Sequence, residues 1–405
     1  MTPMFQNPTE EFVFNLCHGS FLSLWTYANP LRFNDKKELC DVLAICEPHI
    51  LIFSVKNIEF DTHGDVDKAL TRWWTKAIHN SVKQIYGAER NLTKAQCVTR
   101  SDGNKGLSLP SPNERLVHRI SVSLGGKGMV PIPSGDFGNG FVHVWEESFL
   151  SVVMKELDTI SDFVGYLQAE ETFAMKNPGL IVKGGENNIL AIFIHGGRKF
   201  PEETPPSIIT GNQWDKLEES EQFKVRNEAN RESFLWDRLI EYLSREVLED
   251  RMEFGGTLDD NEKVLRYLAR EDRFARRILS NAFEEFLSHA KAGVIKARMM
   301  LSPSGIAYVF LAPPVDYPRD ARIAELGNRC FVARNDLQDC ETVIGIGTNV
   351  GPAPKGFATD LYLLSVPTWT DKHRSHAEKM KQELGYFREP RVTCKGADEF
   401  PKSNQ

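Results

Sequence analysis

Two short segments near the N-terminus carry the residue types that could do chemistry: Glu38-Leu39-Cys40-Asp41, and, after an apolar stretch, Phe53-Ser54-Val55-Lys56. Residues 39–46 are apolar apart from Asp41, and residues 50–53 are apolar throughout, so both read as buried strands broken by Glu47-Pro48-His49. If the chain reverses near Pro48, counting back places Asp41 opposite residue 54 or 55. The period-2 rule then sets Ser54 and Lys56 on one strand face, so that Asp41 and Lys56 can converge. A carboxylate facing an ammonium suits metal-assisted cleavage of a phosphodiester. A hard divalent cation such as Mg²⁺ or Mn²⁺ takes oxygen ligands, commonly one or two carboxylates completed by water and substrate phosphate. Asp41 is the natural first ligand, and Lys56 can orient the attacking water or steady the charge that builds on phosphorus. An Asp–Lys ion pair held inside a sheet is the other reading of the same two residues, and spacing leaves both open.

The elements around this pair extend the pattern. An acidic first helix (Glu10, Glu11), the ELCD strand, the strand ending in SVK and a long helix carrying Lys83-Gln84-Ile85-Tyr86 together resemble the PD-(D/E)XK, or restriction-endonuclease-like, superfamily of nucleases. The resemblance covers residues 5–95 and is extended to residue 200. It implies a mixed-sheet core and a metal-binding role for Asp41. It also implies a catalytic role for Lys56, an acidic contribution from Glu11 or Glu10, and a polar contribution from Gln84. One position departs from the pattern: two residues before the lysine, where the superfamily carries Asp or Glu, this chain has Ser54. A hydroxyl is a weaker metal ligand than a carboxylate, so Glu38 would have to join the site through a bulge or an irregular strand start, or metal affinity falls. The rival expectation is therefore a nucleic-acid-binding or scaffold subunit that keeps the fold without the catalysis.

The helix after the hairpin has a second feature. At about 100° per residue, Lys68, Arg72, Lys76, Lys83 and Arg90 fall within about 80° of one another, joined by His79 and Tyr86. Leu70, Trp73, Trp74, Ala77, Ile78, Val82 and Ile85 take the opposite side. Such a helix packs on a sheet and presents a basic stripe, either as a solvated face or as a surface for nucleic-acid phosphates.

Composition bounds these readings. A chain of 405 residues that is 41% hydrophobic can supply core for about two to four domains. Its net charge of −7 excludes a generally basic nucleic-acid coat, so contact with DNA must come from a local patch. Seven cysteines without a CxxC pair point away from structural zinc and from a disulfide framework, towards reduced thiols in the cytoplasm. Residues 1–4 lack the pattern of a secretory signal, and no apolar run approaches the length of a membrane span.

Further along, residues 116–124 and 141–145 read as strands, 146–157 and 158–174 as helices, and 189–195 as one more strand of the same body. The proline-bearing stretch 199–212 reads as a linker. Residues 214–298 read as helical, with Gly255-Gly256 between two segments. Trp236, Leu239, Ile240, Tyr242 and Leu243 form one apolar face there, and Leu265, Leu268, Phe274, Ile278, Phe283 and Phe286 another. Arg270, Arg273, Arg276 and Arg277 read as a solvated cluster. Strands at 307–311, 342–347 and 362–366 alternate with helices at 320–329 and 370–385. Gly345-Ile346-Gly347 with Gly351 and Pro352 does not make a dinucleotide fingerprint, and His373 and His376 read as surface histidines. The expected architecture is α/β: a restriction-endonuclease-like domain over 1–200, a helical domain over 213–300 and a smaller α/β module over 301–405. The expected activity is Mg²⁺-dependent hydrolysis of nucleic acid, DNA first, in prokaryotic restriction, repair or antiviral (anti-phage) defence. Protein partners of such a complex are expected, with a ligand-sensing role for the C-terminal module as a further alternative.

Overall fold

The computed structural model describes residues 5, 7–63, 65–126, 134–202, 208–252, 256–294, 296–337, 340–350, 359–388 and 398–401. Several sequence expectations fall outside them: residues 1–4, Lys127 and Gly128, Pro205 and Pro206, Gly255, and Gly351 with Pro352. The chain forms two compact units, residues 1–224 with 240–272, and residues 225–239 with 273–405. Both are mixtures of helices with a mixed sheet. The helices between residues 213 and 300 are shared between the units rather than gathered in one body.

The first unit opens with α1 (Pro8–Phe21), started by Asn7, whose side chain accepts the Thr9 N–H, and by Pro8 in the first turn. Then follow β1 (Thr26–Ala28), β2 (Val42–Cys46) and β3 (His49–Asn57). Cys46 pairs with His49, so Glu47-Pro48 forms a two-residue turn, and the register runs back to Val42 opposite Phe53. A helical rod comes next: α2 (Val66–Trp73), a π turn (Trp74–His79) and α3 (Asn80–Leu92). A small hairpin, β4 (Cys97–Thr99) and β5 (Lys105–Ser108), leads to β6 (Leu116–Leu124), β7 (Gly135–Asp136) and β8 (Phe141–Glu146). The main sheet has the order β1-β2-β3-β6-β8-β7, with β3, β6 and β8 parallel to one another and the other neighbours antiparallel.

Alternation along the strands assigns the two faces. Ile50 and Ile52 of β3, Leu43 and Ile45 of β2, and Val142 and Val144 of β8 bury against Trp73, Ala77, Ile78, Val82 and Ile85 of the rod. On the other face Phe53 and Trp145 stack around Phe163. That face is covered by α4 (Glu147–Glu156), α5 (Ile160–Lys176) and α6 (Gly185–His195). Residues 189–195, expected as a strand, are thus the body of a helix. An apolar run of six residues, 189–194, fits either form, and here Phe193 packs on Tyr166 and Phe200 as part of a helix. The expected linker is tied down on its far side, where β10 (Ile208–Ile209) pairs with β9 (Ile181–Val182). The helices α7 (Gln213–Glu219) and α8 (Glu221–Asn230) follow. The later part of α9 (Phe234–Leu248) and all of α10 (Leu258–Ala269) belong to this unit, with Trp25 Nε1 donating to Glu262 at 2.8 Å.

The second unit holds α11 (Arg273–Lys291), β11 (Ala297–Leu301), β12 (Ala307–Leu311), α12 (Arg319–Asp336), β13 (Thr342–Gly347), β14 (Asp360–Ser365) and α13 (Asp371–Leu384). Its sheet has the order β11-β12-β13-β14, parallel only between β12 and β13. Two expectations for the helices between residues 213 and 300 fail. Arg273, Arg276 and Arg277 are buried, not solvated: the first two close on Asp237, and Arg277 donates to the backbone carbonyl of Asp398. An arginine fork satisfied by a carboxylate can be buried where a lysine could not. Tyr242 is exposed, because the buried stripe of α9 runs Trp236, Ile240, Leu243 and Val247 at four, three and four. No helix among the described residues is long and apolar enough to cross a membrane.

Candidate active site

Asp41 lies one residue before β2, at the point where the β2–β3 ladder ends. Continuing the register sets it opposite Ser54, and its side chain takes over where the ladder stops: Oδ2 accepts the Val55 N–H at 2.5 Å. The carboxylate is 2% exposed, which ties it firmly to the sheet. Ser54 and Lys56 point to the face covered by the rod, continuing the line of Ile50 and Ile52. Lys56 Nζ stands 3.7 Å from Asp41 Oδ2, with a quarter of its side chain (27%) open to solvent.

Gln84 of α3 links all three. Its Oε1 accepts from Lys56 Nζ at 2.7 Å and from the Ser54 hydroxyl at 3.0 Å, and its Nε2 donates to Asp41 Oδ1 at 3.3 Å. The arrangement uses each amide atom in its proper sense, with a single acceptor oxygen shared by two donors. Ser54 is fully buried and its hydroxyl is committed to Gln84. Below it a serine ladder continues inward, from Ser54 O to the Ser81 hydroxyl at 3.4 Å and from Ser81 to Ser121 at 2.8 Å.

Two more carboxyls gather on Asp41. Glu38, in the irregular segment before β2 where Leu31 bridges to it, hydrogen-bonds to Asp41. Its pKa is pushed up to about 7, first by burial and then by the Asp41 charge, with Glu10 adding and Lys56 opposing. Glu10, in the first turn of α1, is raised above the ordinary carboxylate range by burial and by Asp41, with Lys56 again opposing. The N-terminus of α1 reaches this corner because Asn57, at the end of β3, donates to the Thr9 hydroxyl at 3.1 Å. Of the two acids in this turn it is Glu10 that faces the group. Glu11 is exposed, and among the described residues its side chain makes no hydrogen bond or ion pair. The chain just beyond Lys56 is fixed as well: a Cβ on Gly125 (φ +82°) would meet Ile58 O at 2.5 Å, so only glycine lets β6 lie against that backbone.

The donor set is therefore three carboxyls, one amide, one hydroxyl and one ammonium, with no soft ligand. Oxygen ligands of this kind suit Mg²⁺ or Mn²⁺, which need only one or two carboxylates from the protein. Among the described residues no three His, Cys, Asp or Glu side chains are spaced to hold a metal ion as they stand. Asp41 and Glu38 are the pair whose chemistry fits one. Their mutual repulsion, visible in the raised Glu38, is the imbalance that a bound cation would relieve.

The rod departs from the expected single α-helix. A π turn is wider than an α turn, so six residues of it set the later phase back by about 90°, roughly one residue's worth. Tyr86, expected on the basic stripe, is turned inward by this: it is buried, and its hydroxyl donates to Gly140 O at 2.7 Å. Lys68, Arg72, Lys76, Lys83, Arg90 and His79 are all exposed.

Sequence reasoning did not single out a second polar cluster, on the opposite sheet face. His143 Nδ1 lies 3.1 Å from Glu170 Oε2. Glu170 and Glu186 share a hydrogen bond, and the Ser134 hydroxyl is 3.4 Å from Glu186. The alternation of β8 could have flagged His143 as an inward histidine, but nothing local pairs it with acids 27 and 43 residues away. No protein-family model, curated protein or solved structure matches this chain.

Proposed function

We propose that the first unit is a PD-(D/E)XK-type nuclease core, followed by a smaller α/β module, and that it hydrolyses phosphodiester bonds in nucleic acid, DNA first, with Mg²⁺ or Mn²⁺. The observation that carries this reading is the convergence of Glu10, Glu38, Asp41 and Lys56 on one corner of the sheet, with Gln84 bonded to both Asp41 and Lys56. Asp41 and Glu38 would hold the ion, which supplies a bound water of lowered pKa and charge neutralisation at the phosphate. Lys56 is the one cation of the group and keeps solvent access, so its ammonium can meet a phosphate oxygen or the attacking water. Gln84 fixes the Lys56 amine by accepting from it, and the Val55 N–H fixes Asp41. Ser54 in place of an acid does not empty the site on this reading. Its hydroxyl anchors Gln84, and Glu38 supplies the second carboxyl from outside the strand.

A role in restriction, repair or anti-phage defence, with protein partners, is the setting proposed for such an activity. The deciding experiment is cleavage of supercoiled plasmid by the full chain with EDTA, Mg²⁺ or Mn²⁺, beside Asp41→Asn. Cleavage that needs the metal and is lost by at least about a thousandfold in the variant is the expected result. Nucleic-acid binding without cleavage by the wild type under every metal would favour the rival, a scaffold that keeps the fold.

A further inference from the structure

The same rod that delivers Gln84 inward presents cations outward. Lys68, Arg72, Lys76, Lys83 and Arg90 are all exposed, and allowing for the π turn they still lie within about 90° of one another around the axis. Only Lys68 has an ion pair among the described residues, 3.4 Å from Asp65. Asp65 is itself occupied in capping α2, accepting the N–H groups of Asp67 and Lys68. An open hollow of about 550 Å³ runs beside Lys68, Thr71, Arg72, Thr75 and Lys76, with Asp65 and Asp67 at the N-terminal end of α2 also on its wall. The two threonine hydroxyls lining it are turned back to their own helix, bonded to Asp67 O and Thr71 O.

The chemistry of this face selects its partner. A protein interface needs an apolar centre, often aromatic, inside a polar rim. Between these cations stand Thr71, Thr75, His79 and Asn80, all exposed, and the large hydrophobics of the rod face the sheet. A row of cations without apolar anchors matches a ligand that offers regularly spaced charge and little else. From Lys68 to Arg90 the rod runs about 33 Å, a length over which one strand of a duplex passes on the order of ten phosphates. Lys83 precedes Gln84, so the row runs at the same level along the rod as the residue that reaches Asp41 and Lys56, about 100° around the axis from it.

We infer that the outward face of the α2–π–α3 rod is a track for the phosphate backbone of a nucleic acid. It holds flanking phosphates on Lys68, Arg72, Lys76, Lys83 and Arg90 and so carries the scissile phosphate to the corner formed by Asp41 and Lys56. The inference rests on reading that corner as a phosphodiester hydrolase, but it is tested without cleavage. The full chain is titrated in EDTA against a labelled 30-base-pair duplex of random sequence over a range of salt. Lys76→Glu with Lys83→Glu is compared with a control pair on an exposed face of the second unit, Lys372→Glu with Lys379→Glu, which changes net charge equally.

The track pair is expected to weaken binding at least about tenfold and to lower the salt slope by about one unit per lost contact, while the control pair leaves both near wild type. Equal loss in both pairs would reduce the effect to overall charge and overturn the track. So would no loss in either, or wild-type binding to anionic vesicles but not to duplex or single-stranded DNA. If cleavage never appears while the track pair still loses binding, the catalytic reading falls and the track stands.

Discussion

Two groups of acids, one around the buried Asp41 and one around the buried Glu170, sit on opposite faces of one sheet and solve the same problem differently. At the Asp41 corner the acids are met by donors: a backbone N–H, an amide and a lysine that remains partly open to water. In the Glu170 cluster the neighbours are a histidine, a serine, Tyr166 and the further acids Glu171 and Glu186, with no lysine among the groups that set the Glu170 pKa. There burial is the largest cause raising both carboxyls, Glu186 far above the ordinary range with the Glu170 charge adding, and burial holds His143 down at about 3. Glu186 Oε2 is sealed from solvent and has no hydrogen-bond partner among the described residues. A buried carboxyl without a cation is neutralised by a proton. One beside a lysine, with a route to solvent, leaves an opening for a metal and a phosphate. The difference between a structural acid pair and a candidate site is therefore the cation and the exposure, not the number of carboxyls.

The comparison breaks first at Lys56. If that ammonium is what distinguishes the two clusters, Lys56→Ala should slow cleavage by about a hundredfold to a thousandfold, the usual cost of one preorganised electrostatic group, while metal affinity is retained or rises. Single-turnover cleavage and isothermal titration with Mn²⁺ separate the two quantities. A variant that cuts at the wild-type rate would reduce the lysine to an internal ion pair with Asp41. Glu186→Gln, in the other cluster, should leave the rate unchanged.

A smaller effect sharpens the role of Glu38. Its pKa near 7, raised by burial and by Asp41, means that a proton and a cation compete for it. Apparent Mn²⁺ affinity should therefore strengthen as pH rises from 6 to 8, and Glu38→Gln should weaken binding and flatten that dependence. Flattening identifies Glu38 as the acid whose proton the metal displaces. Weak binding with an unchanged slope would move that role to Glu10, whose pKa is also raised.

The Asp41–Lys56 pairing was legible because it is arithmetic: a two-residue turn and a period of two fix which residues meet. The choice of Glu10 over Glu11 was not, since neighbours on a helix differ only by rotation and the packing of α1 decides it. Glu38 could be named but not placed, because the segment before β2 is irregular. The π turn left no trace in the pattern of Lys and Arg, and it showed only in Tyr86, which a uniform 100° per residue puts on the wrong side. Residues 189–195 were misread because six consecutive apolar residues carry no period. The buried arginines of α11 were misread because a basic run looks solvated until its acid, Asp237, arrives from another helix.

The smallest effect tests the proton in the second cluster. An acid whose folded pKa is raised keeps its proton when folded and loses it when unfolded, so the stability it contributes is complete below about pH 4.5 and is lost as pH rises through its folded value. For Glu170 that value is about 8. His143, lowered by burial to about 3, works in the opposite sense: its contribution is complete above its unfolded value of 6.5 and is lost as pH falls. Thermal unfolding of the wild type should therefore shift downward between pH 6.5 and 8.5, beyond the range where the histidine matters. In Glu186→Gln one acid of the pair can no longer take up a proton on folding, and its charge no longer adds to the neighbour, so that source of pH dependence is removed. The downward shift should shrink by a few degrees, at about 2–4 °C per kcal/mol for a unit of this size. An identical shift in variant and wild type would mean that no proton is shared there, and that the two acid clusters differ less than their neighbours suggest.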